Sequence, residues 1–143
     1  MGRVVLVSNR VADLRKAAQA GGVAVALADI VRSRRALWFG WNGEISAPDQ
    51  EPAVKRDGRI ATVSLSEADY AGYYLGYANS VLWPVFHNRL DLAQFEAGYF
   101  ERYVEVNRRL AGQLAPLLKP EDVIWVHDYH MIPFAAELRK GIM

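Results

Sequence analysis

A short apolar run that ends abruptly in polar residues constrains the fold of this chain more than any other stretch. Residues 123–126 read Val-Ile-Trp-Val, and His127-Asp128-Tyr129-His130 follows directly. Such a run is typical of a strand buried on both faces of a parallel sheet. Pro133 suits the first turn of a helix, which is predicted over 134–140 and ended by Gly141. The polar residues are therefore predicted to lie at the carboxyl end of a buried strand, where open α/β sheets bind ligands.

Composition is that of an ordinary globular protein. The 143 residues are 52% hydrophobic and 23% charged, and 17 basic against 16 acidic side chains give a formal net charge of +1. This balance offers no electrostatic footprint for nucleic acid or for an acidic membrane surface. The chain has no cysteine, and no stretch approaches the roughly 20 apolar residues of a membrane span. We expect one domain, or part of one, in the cytoplasm, with no nucleic-acid or membrane partner.

Further strands and helices alternate along the chain. Strands are predicted over 3–8, 36–41 and 59–65, and helices after Gly22, from Ser66 to about Tyr77, and within 92–118. A loop is expected over 47–58, and Pro84 makes 79–87 a poor central strand. The alternation predicts an α/β layer fold with a mainly parallel sheet.

Candidate ligand groups follow three of the predicted strands. Arg10 comes after the first, Asn42-Gly43 after the second and Asp128 after the last. Arginine offers a planar fork of donors that suits phosphate, although a lone arginine is more often a solvated loop residue. Clustering at strand ends is stronger evidence for a binding site than any single residue.

A glycine pair precedes the first predicted helix. The order of strand, polar loop over 11–20, Gly21-Gly22 and helix outlines a phosphate-binding arrangement, because glycines let a ligand approach the backbone and a helix start presents free N–H groups. Neither the G-x-G-x-x-G pattern nor the P-loop lysine pattern is present, and a glycine pair before a helix is more often a turn.

Aromatic residues are concentrated in two places. Trp38 and Trp41 have opposite parity in their strand, so one is expected in the core while the other lines a pocket or is also buried. Four tyrosines share one face of the helix after Ser66, a stripe that usually means packing but from which one hydroxyl can turn towards a ligand. His87 is expected to be a core histidine.

Several chemistries find no support in these residues. There is no G-x-S-x-G nucleophile elbow, and Asp128 has no evident carboxylate partner for hydrolysis. His127 and His130 lack the second ligand pair of a zinc site, so no metal is expected. An arginine for a phosphate, aromatic rings for a sugar and one carboxylate for hydroxyls together suggest a phosphosugar site.

A set of segments in fixed order carries a family resemblance over essentially the whole chain. The segments are Ser8-Asn9-Arg10, Gly21-Gly22, Leu37-Trp38-Phe39-Gly40-Trp41, Tyr73-Tyr74, Leu82-Trp83-Pro84-Val85-Phe86-His87 and Trp125-Val126-His127-Asp128-Tyr129-His130. In order and spacing they resemble the amino-terminal region of the α,α-trehalose-phosphate synthase family, which are UDP-forming retaining glycosyltransferases.

The resemblance implies a fold and a reaction. The fold would be the amino-terminal part of the two-domain B-type glycosyltransferase fold, with a cleft between two Rossmann-like halves. The reaction would transfer glucose from UDP-glucose to glucose 6-phosphate and give trehalose 6-phosphate. No cofactor and no metal are implied, and catalysis would rest on positioning and on stabilising the departing diphosphate.

The resemblance also implies roles for five acceptor-side residues. Arg10 and Tyr74 would bind the phosphate of glucose 6-phosphate, and Trp41 would line the acceptor pocket. Trp83 would shape the pocket for the sugar anomer. Asp128 would bind acceptor hydroxyls beside the reacting centre, as the catalytic carboxylate. The histidines are expected to be structural.

On the donor side, Gly21 and Gly22 would form the backbone turn beside the diphosphate of UDP-glucose. Residues 1–143 would be a partial, acceptor-side Rossmann-like domain that lacks the carboxyl-terminal donor domain. The isolated chain is therefore expected to be inactive. Its sheet is expected to expose an open edge and apolar surface, which invites pairing of copies into a homo-oligomer.

Two other functions stay open. One is a non-catalytic relative, regulatory or truncated, that keeps the acceptor pocket without the transfer chemistry. The other is a related transferase with a different phosphorylated acceptor, such as a cyclitol phosphate.

Overall fold

The computed structural model describes residues 2–13, 22–33 and 35–143, with the backbone alone at 22–24. Within them the strands are β1 (Val4–Arg10), β2 (Ala36–Ile45), β3 (Lys55–Asp57), β4 (Ile60–Leu65) and β5 (Val123–Val126). The α-helices are α1 (Gly22–Ser33), α2 (Glu67–Asp69), α3 (Trp83–Phe86), α4 (Tyr99–Leu114) and α5 (Phe134–Ile142). A π-helix over Tyr70–Leu82 joins α2 to α3, and 3₁₀ turns cover Leu90–Leu92, Ala115–Leu117 and Tyr129–Met131.

The sheet has the order β3-β4-β2-β1-β5. Strand β1 pairs in parallel with β2 and with β5, and β2 pairs in parallel with β4. The prediction of an α/β fold with a mainly parallel sheet is confirmed. The sequence missed β3, which lies in the expected loop and pairs antiparallel with β4 across the turn at Gly58. Parallel pairing brings the carboxyl ends of β1, β2, β4 and β5 to one edge.

Two apolar layers cover the sheet. On one face, alternate residues such as Val7 and Phe39 pack against the π-helix, α4 and α5, and Phe39 lies 6.5 Å from Phe134 between ring centroids. On the other face, Leu6 and Trp38 pack against α1. Trp38 and Trp41 thus belong to opposite faces, as strand parity predicts.

Strand β5 does not lie inside the sheet. It pairs only with β1 in the described structure, and Val123 and Trp125 are 61% and 52% exposed. The prediction of burial on both faces is therefore wrong. Its physical reason is the strand order, because α1 covers the face of β1 and β2 while β5 lies at the edge.

One continuous helical segment runs from Glu67 to Phe86. Ser66 caps its start, since the Ser66 hydroxyl accepts from the Asp69 N–H at 3.1 Å and the Asp69 carboxylate accepts from the Ser66 N–H. The predicted end near Tyr77 is wrong, because the segment continues with i→i+5 geometry and the Trp83 N–H donates to the Ala78 carbonyl. Asn79 and Trp83 therefore lie on the same helical segment as Tyr74.

The structure differs from the sequence-based predictions at α4 and at His87. The helix expected within 92–118 is shorter, since α4 begins at Tyr99, and Pro116 ends it in a 3₁₀ turn as expected. His87 is exposed rather than in the core, and its ring nitrogen Nδ1 lies 2.6 Å from the Trp83 carbonyl oxygen.

Candidate active site

Two adjoining cavities lie at the carboxyl ends of β1, β2 and β5. The larger has a volume of about 510 Å³ and the smaller about 430 Å³. Both share Asn9, Arg10 and Tyr74 in their walls. The larger is completed by Asn79, Trp83, Asp128, Tyr129 and His130, and the smaller by Trp41, Gly43, Ile45 and Tyr70.

Arg10 ends β1 at an irregularity of the sheet. The pairing with β2 shifts between Ser8 and Arg10, and the Ser8 hydroxyl donates to the Arg10 carbonyl at 2.8 Å. The Arg10 side chain is exposed, and its guanidinium lies over the ring of Trp41, 5.4 Å from the centroid. Such a cation–π contact contributes about 0.5–1 kcal/mol and holds the donors of Arg10 between the two cavities.

Trp41 forms a wall of the smaller cavity. It is 5% exposed, and its indole N–H donates to the Glu44 carbonyl at 2.8 Å. Its ring packs against Tyr70 and Tyr74, with centroids 5.8 and 5.3 Å away, and those two tyrosines stack on each other. The cavity wall is therefore a rigid aromatic surface of the kind on which sugar C–H faces stack.

Asn9 is a buried polar residue beneath Arg10. The hydroxyl of Tyr73 donates to Asn9 Oδ1 at 2.7 Å, and Tyr73 is fully buried. Burial raises the pKa of Tyr73 well above its usual value, so the phenol stays protonated as a donor. This bond fixes the end of β1 against the π-helix.

Asp128 has an unusual backbone at the mouth of the larger cavity. Its φ of 78° and ψ of 151° fall in a region that is essentially reserved for glycine. The residue is exposed and directly precedes the 3₁₀ turn Tyr129–Met131. Strain of this kind occurs chiefly at functional sites, which makes Asp128 the residue with the clearest local signature of function.

His130 is buried behind Asp128 and stacks on two tyrosines. Its ring centroid lies 4.3 Å from that of Tyr129 and 5.5 Å from that of Tyr74. Burial lowers the pKa of His130 to about 4, although the charge of Asp128 acts in the opposite direction. Neither ring nitrogen has a hydrogen-bond partner among the described residues. The imidazole is therefore neutral near pH 7.

Trp83 reaches the larger cavity from the end of the helical segment. It is 42% exposed and stacks on His87, with 4.2 Å between ring centroids. The side chain lines the larger cavity, where it can limit the shape of a bound ligand.

The structure describes only one of the two glycines of the predicted donor turn. Gly22 is the first residue of α1. Gly21 lies outside the described residues, as do residues 14–20 of the polar loop. Binding of a diphosphate by this turn therefore stays a prediction.

The described residues form neither a metal-ligand cluster nor a membrane-spanning helix. Over residues 2–13, 22–33 and 35–143, no three histidine or carboxylate side chains converge in a way that could hold a metal ion. None of the helices in that part of the chain combines the length and the apolar character needed to cross a bilayer.

Comparison with known proteins identifies the family. Residues 5–143 match the sequence profile of glycosyltransferase family 20. The chain belongs to glycosyltransferase family 20. Its trehalose-6-phosphate synthase relatives include that of Citrobacter koseri, 49% identical over 142 residues, and that of Sodalis glossinidius, 46% identical over 143 residues. Each match covers 98% of this chain and 30% of the relative, so the family 20 chain spans about 30% of the length of these proteins.

Solved structures of the same family agree with the fold. An α,α-trehalose-phosphate synthase (UDP-forming) from Burkholderia vietnamiensis matches with a TM-score of 0.84 at 51% identity, over 98% of this chain and 32% of that one. The enzyme from Burkholderia xenovorans, solved in complex with glucose-6-phosphate, matches with a TM-score of 0.85 at 45% identity, over 98% and 31%. The predicted Rossmann-like sheet, as part of the B-type glycosyltransferase fold, is confirmed.

The family 20 chain brings together residues that are far apart in its sequence. All five predicted acceptor-side residues line the two cavities, namely Arg10, Trp41, Tyr74, Trp83 and Asp128. Sequence reasoning assigned no binding role to four further wall residues of the larger cavity, namely Asn9, Asn79, Tyr129 and His130, or to Ile45 and Tyr70 of the smaller. For Asn79 the signal was a spacing of five from Tyr74, which places both on one side of a π-helix but not of an α-helix.

Proposed function

We propose that this chain carries the acceptor half-site of a trehalose 6-phosphate synthase, which transfers glucose from UDP-glucose to glucose 6-phosphate. The observation that carries the proposal is the convergence of Arg10 and Asp128 on one cavity. The walls of the site offer a cation, a carboxylate and aromatic rings, one of which lies under the guanidinium. A phosphorylated sugar has a matching arrangement of charge, apolar face and hydroxyls.

Each acceptor-side residue has a role that its position supports. The guanidinium of Arg10 and the hydroxyl of Tyr74 bind the phosphate, and Trp41 forms the wall behind them. Asp128 accepts hydrogen bonds from acceptor hydroxyls beside the reacting centre and positions them for attack. Trp83 selects the sugar anomer by shape. The related enzyme from Burkholderia xenovorans, solved in complex with glucose-6-phosphate, supports the choice of this ligand.

The donor side of the proposed site involves the glycine pair before α1. Gly21 and Gly22 bind beside the diphosphate of UDP-glucose, and Gly22 is the first residue of α1. Residues 1–143 act as a partial acceptor-side domain, and the donor groups come from a part of the enzyme that corresponds to the remaining length of the relatives. The isolated chain then binds the acceptor but does not release UDP. Copies associate through the open edge of the sheet at β5.

Glucose 6-phosphate binding tests the proposal directly. Calorimetry or ligand-observed NMR on the wild-type chain should detect glucose 6-phosphate and weaker binding of glucose or inorganic phosphate alone. Arg10→Ala should weaken glucose 6-phosphate binding by at least about tenfold, because a charge-assisted hydrogen bond is lost. Arg139→Ala, at an exposed position of α5 outside both cavities, is the matched control. Absence of binding by a folded wild-type chain, or an equal loss in both variants, would contradict the acceptor site.

A further inference from the structure

The strained backbone of Asp128 needs neighbours that hold it in place. A non-glycine residue with φ of 78° and ψ of 151° persists only where the surrounding structure over-determines its conformation. On the amino-terminal side the constraint is the sheet, because the His127 N–H donates to the Val7 carbonyl at 2.8 Å. The constraint on the carboxyl-terminal side comes from α4.

Tyr103 of α4 holds the turn after Asp128 with a single oxygen. Its hydroxyl donates to the Tyr129 carbonyl at 2.6 Å and accepts from the Ile132 N–H at 3.3 Å. The side chain is 3% exposed, so these bonds are shielded from water. Burial raises the pKa of Tyr103 to about 12, which keeps the hydroxyl protonated as the donor.

Asn107 lies one helical turn further along α4 and adds a second bond. Its side-chain amide donates to the His130 carbonyl at 3.0 Å and to the Tyr103 carbonyl at 3.0 Å. Asn107 is fully buried, and its neighbours Val106 and Leu110 anchor α4 in the core beneath the sheet. Two carbonyls and one N–H of the turn are therefore bound to a rigid helix.

We propose that Tyr103 and Asn107 are positioning residues that keep Asp128 in its strained conformation and so aim its carboxylate into the cavity. Neither side chain lines the cavity, so they act through the backbone of residues 129–132. The strain is a property of the fold itself, whereas the consequence for ligand binding rests on the proposed function of Asp128. Two separate measurements address these two parts.

The first measurement needs no ligand. Asp128→Gly should raise Tm by about 3 °C or more, because glycine adopts this backbone without strain. In a Tyr103→Phe background the turn can relax. The rise in Tm caused by Asp128→Gly should therefore fall to less than half of its value in the wild-type background. A gain that is absent, or that is equal with and without the Tyr103 hydroxyl, would overturn the proposal.

Matched controls separate this effect from general destabilisation. Glu121→Gly changes another residue of positive φ, 71°, at the opposite end of β5, and its effect on Tm should not depend on Tyr103. Tyr77→Phe removes a hydroxyl from the ring that packs 4.7 Å from Tyr103 between centroids, and it should not alter the gain from Asp128→Gly. If Tyr103→Phe does not fold, the near-isosteric Asn107→Leu replaces it in the same cycle with the same expected result.

The second measurement uses glucose 6-phosphate. Tyr103→Phe should weaken its binding about tenfold, while Tyr77→Phe leaves it unchanged. In an Asp128→Ala background, Tyr103→Phe should cause no further loss, since the group it positions is gone. An equal loss in both backgrounds would overturn the positioning role. If the wild-type chain binds no glucose 6-phosphate, the proposed function fails, and the Tm cycle still decides whether α4 maintains the strain.

Discussion

The guanidinium of Arg10 occupies the space into which any side chain at Gly43 would project. A Cβ built on Gly43 would overlap the Arg10 guanidinium, and Gly43 has a positive φ of 87°. Glycine at this position of β2 adopts the positive φ without strain. It also leaves room for the guanidinium of Arg10 on the neighbouring strand β1. The overlapping atoms are the flexible end of Arg10, so the arginine can move aside at little cost in stability.

Gly43→Ala should therefore separate stability from binding. The positive φ should cost about 1 kcal/mol in the free energy of unfolding, while the displaced guanidinium weakens glucose 6-phosphate binding by about tenfold. Gly98→Ala is the matched control, since Gly98 has φ of 89° and no atom within contact distance of an added Cβ. Urea unfolding should give similar costs for both variants, and calorimetry should find weaker binding only in Gly43→Ala. Equal affinities would contradict the role of Gly43.

Tyr73→Phe should destabilise the chain by removing the donor to Asn9. The buried Oδ1 of Asn9 would lose its 2.7 Å bond, which costs about 1–3 kcal/mol in the free energy of unfolding. Tyr77→Phe, on the same helical segment, should change that free energy little. Chemical denaturation of both variants measures the difference, and two equal values would show that the Tyr73 bond contributes nothing specific.

Stability should fall in mild acid because of His130. Its folded pKa is about 4 against an ordinary 6.5, so the unfolded chain binds the additional proton between these values. The neutral, buried His130 therefore contributes on the order of 3 kcal/mol to the free energy of unfolding above pH 6.5. This contribution is lost as pH falls towards 4. Burial also lowers the pKa of His127, which acts in the same direction.

The variant His130→Phe keeps an aromatic ring in the stack and removes the titration. Urea unfolding at pH 7 and pH 5 should show a smaller loss of stability in this variant than in the wild-type chain. His87→Phe, at an exposed position, should retain the wild-type loss. A wild-type chain equally stable at both pH values would exclude a neutral, buried His130.

The ion pair between Arg3 and Asp122 should contribute strongly near neutral pH. The side chains are 12% and 3% exposed, and their closest atoms lie 2.9 Å apart. Burial alone would raise the pKa of Asp122, but the hydrogen bond from Arg3 and the Lys119 N–H outweigh it, and the pKa is lowered from 3.8. This contribution is therefore present above about pH 4 and is lost as pH falls below it.

Arg3→Met should lower the free energy of unfolding by about 3 kcal/mol at pH 7, because a buried carboxylate loses its partner. The difference from wild type should shrink at pH 3, where Asp122 takes up a proton. Arg89→Met is the control, since its pair with Asp91 has a similar length of 2.8 Å but is solvent-exposed. That variant should change stability little. Equal losses in both variants would mean that burial does not strengthen the Arg3 pair.

The exposed face of β5 should make the chain associate at high concentration. Trp125 and Val123 present apolar surface beside an unpaired strand edge of the described sheet. Trp125→Thr keeps a residue that favours strands and should shift sedimentation-velocity profiles towards monomer without lowering Tm. Phe95→Ser, at another exposed aromatic position, is the control and should leave association unchanged. A wild-type chain that is monomeric at all concentrations would contradict the prediction.

The site was only partly predictable from the sequence. Arg10 and Asp128 could be found because each lies within three residues of the end of an apolar run, and parallel strands bring their carboxyl ends together. Asn79 was missed because the predicted helix ended near Tyr77, whereas the helical segment continues with π-helical spacing to Leu82. The neutral state of His130 was also beyond reach, since it depends on burial of the ring, which stacks on Tyr74 of a distant segment.

The sequence by itself determined the alternation of strands and helices, the polar residues at strand ends and the resemblance to the family. These follow from local periodicity and short motifs, which neighbouring residues define. Only the tertiary structure decided that β5 lies at an edge, that Gly43 gives space to Arg10, and that α4 holds the turn after Asp128. Each of these depends on contacts between segments distant in the chain, and strand order, close packing and backbone strain arise only when those segments meet.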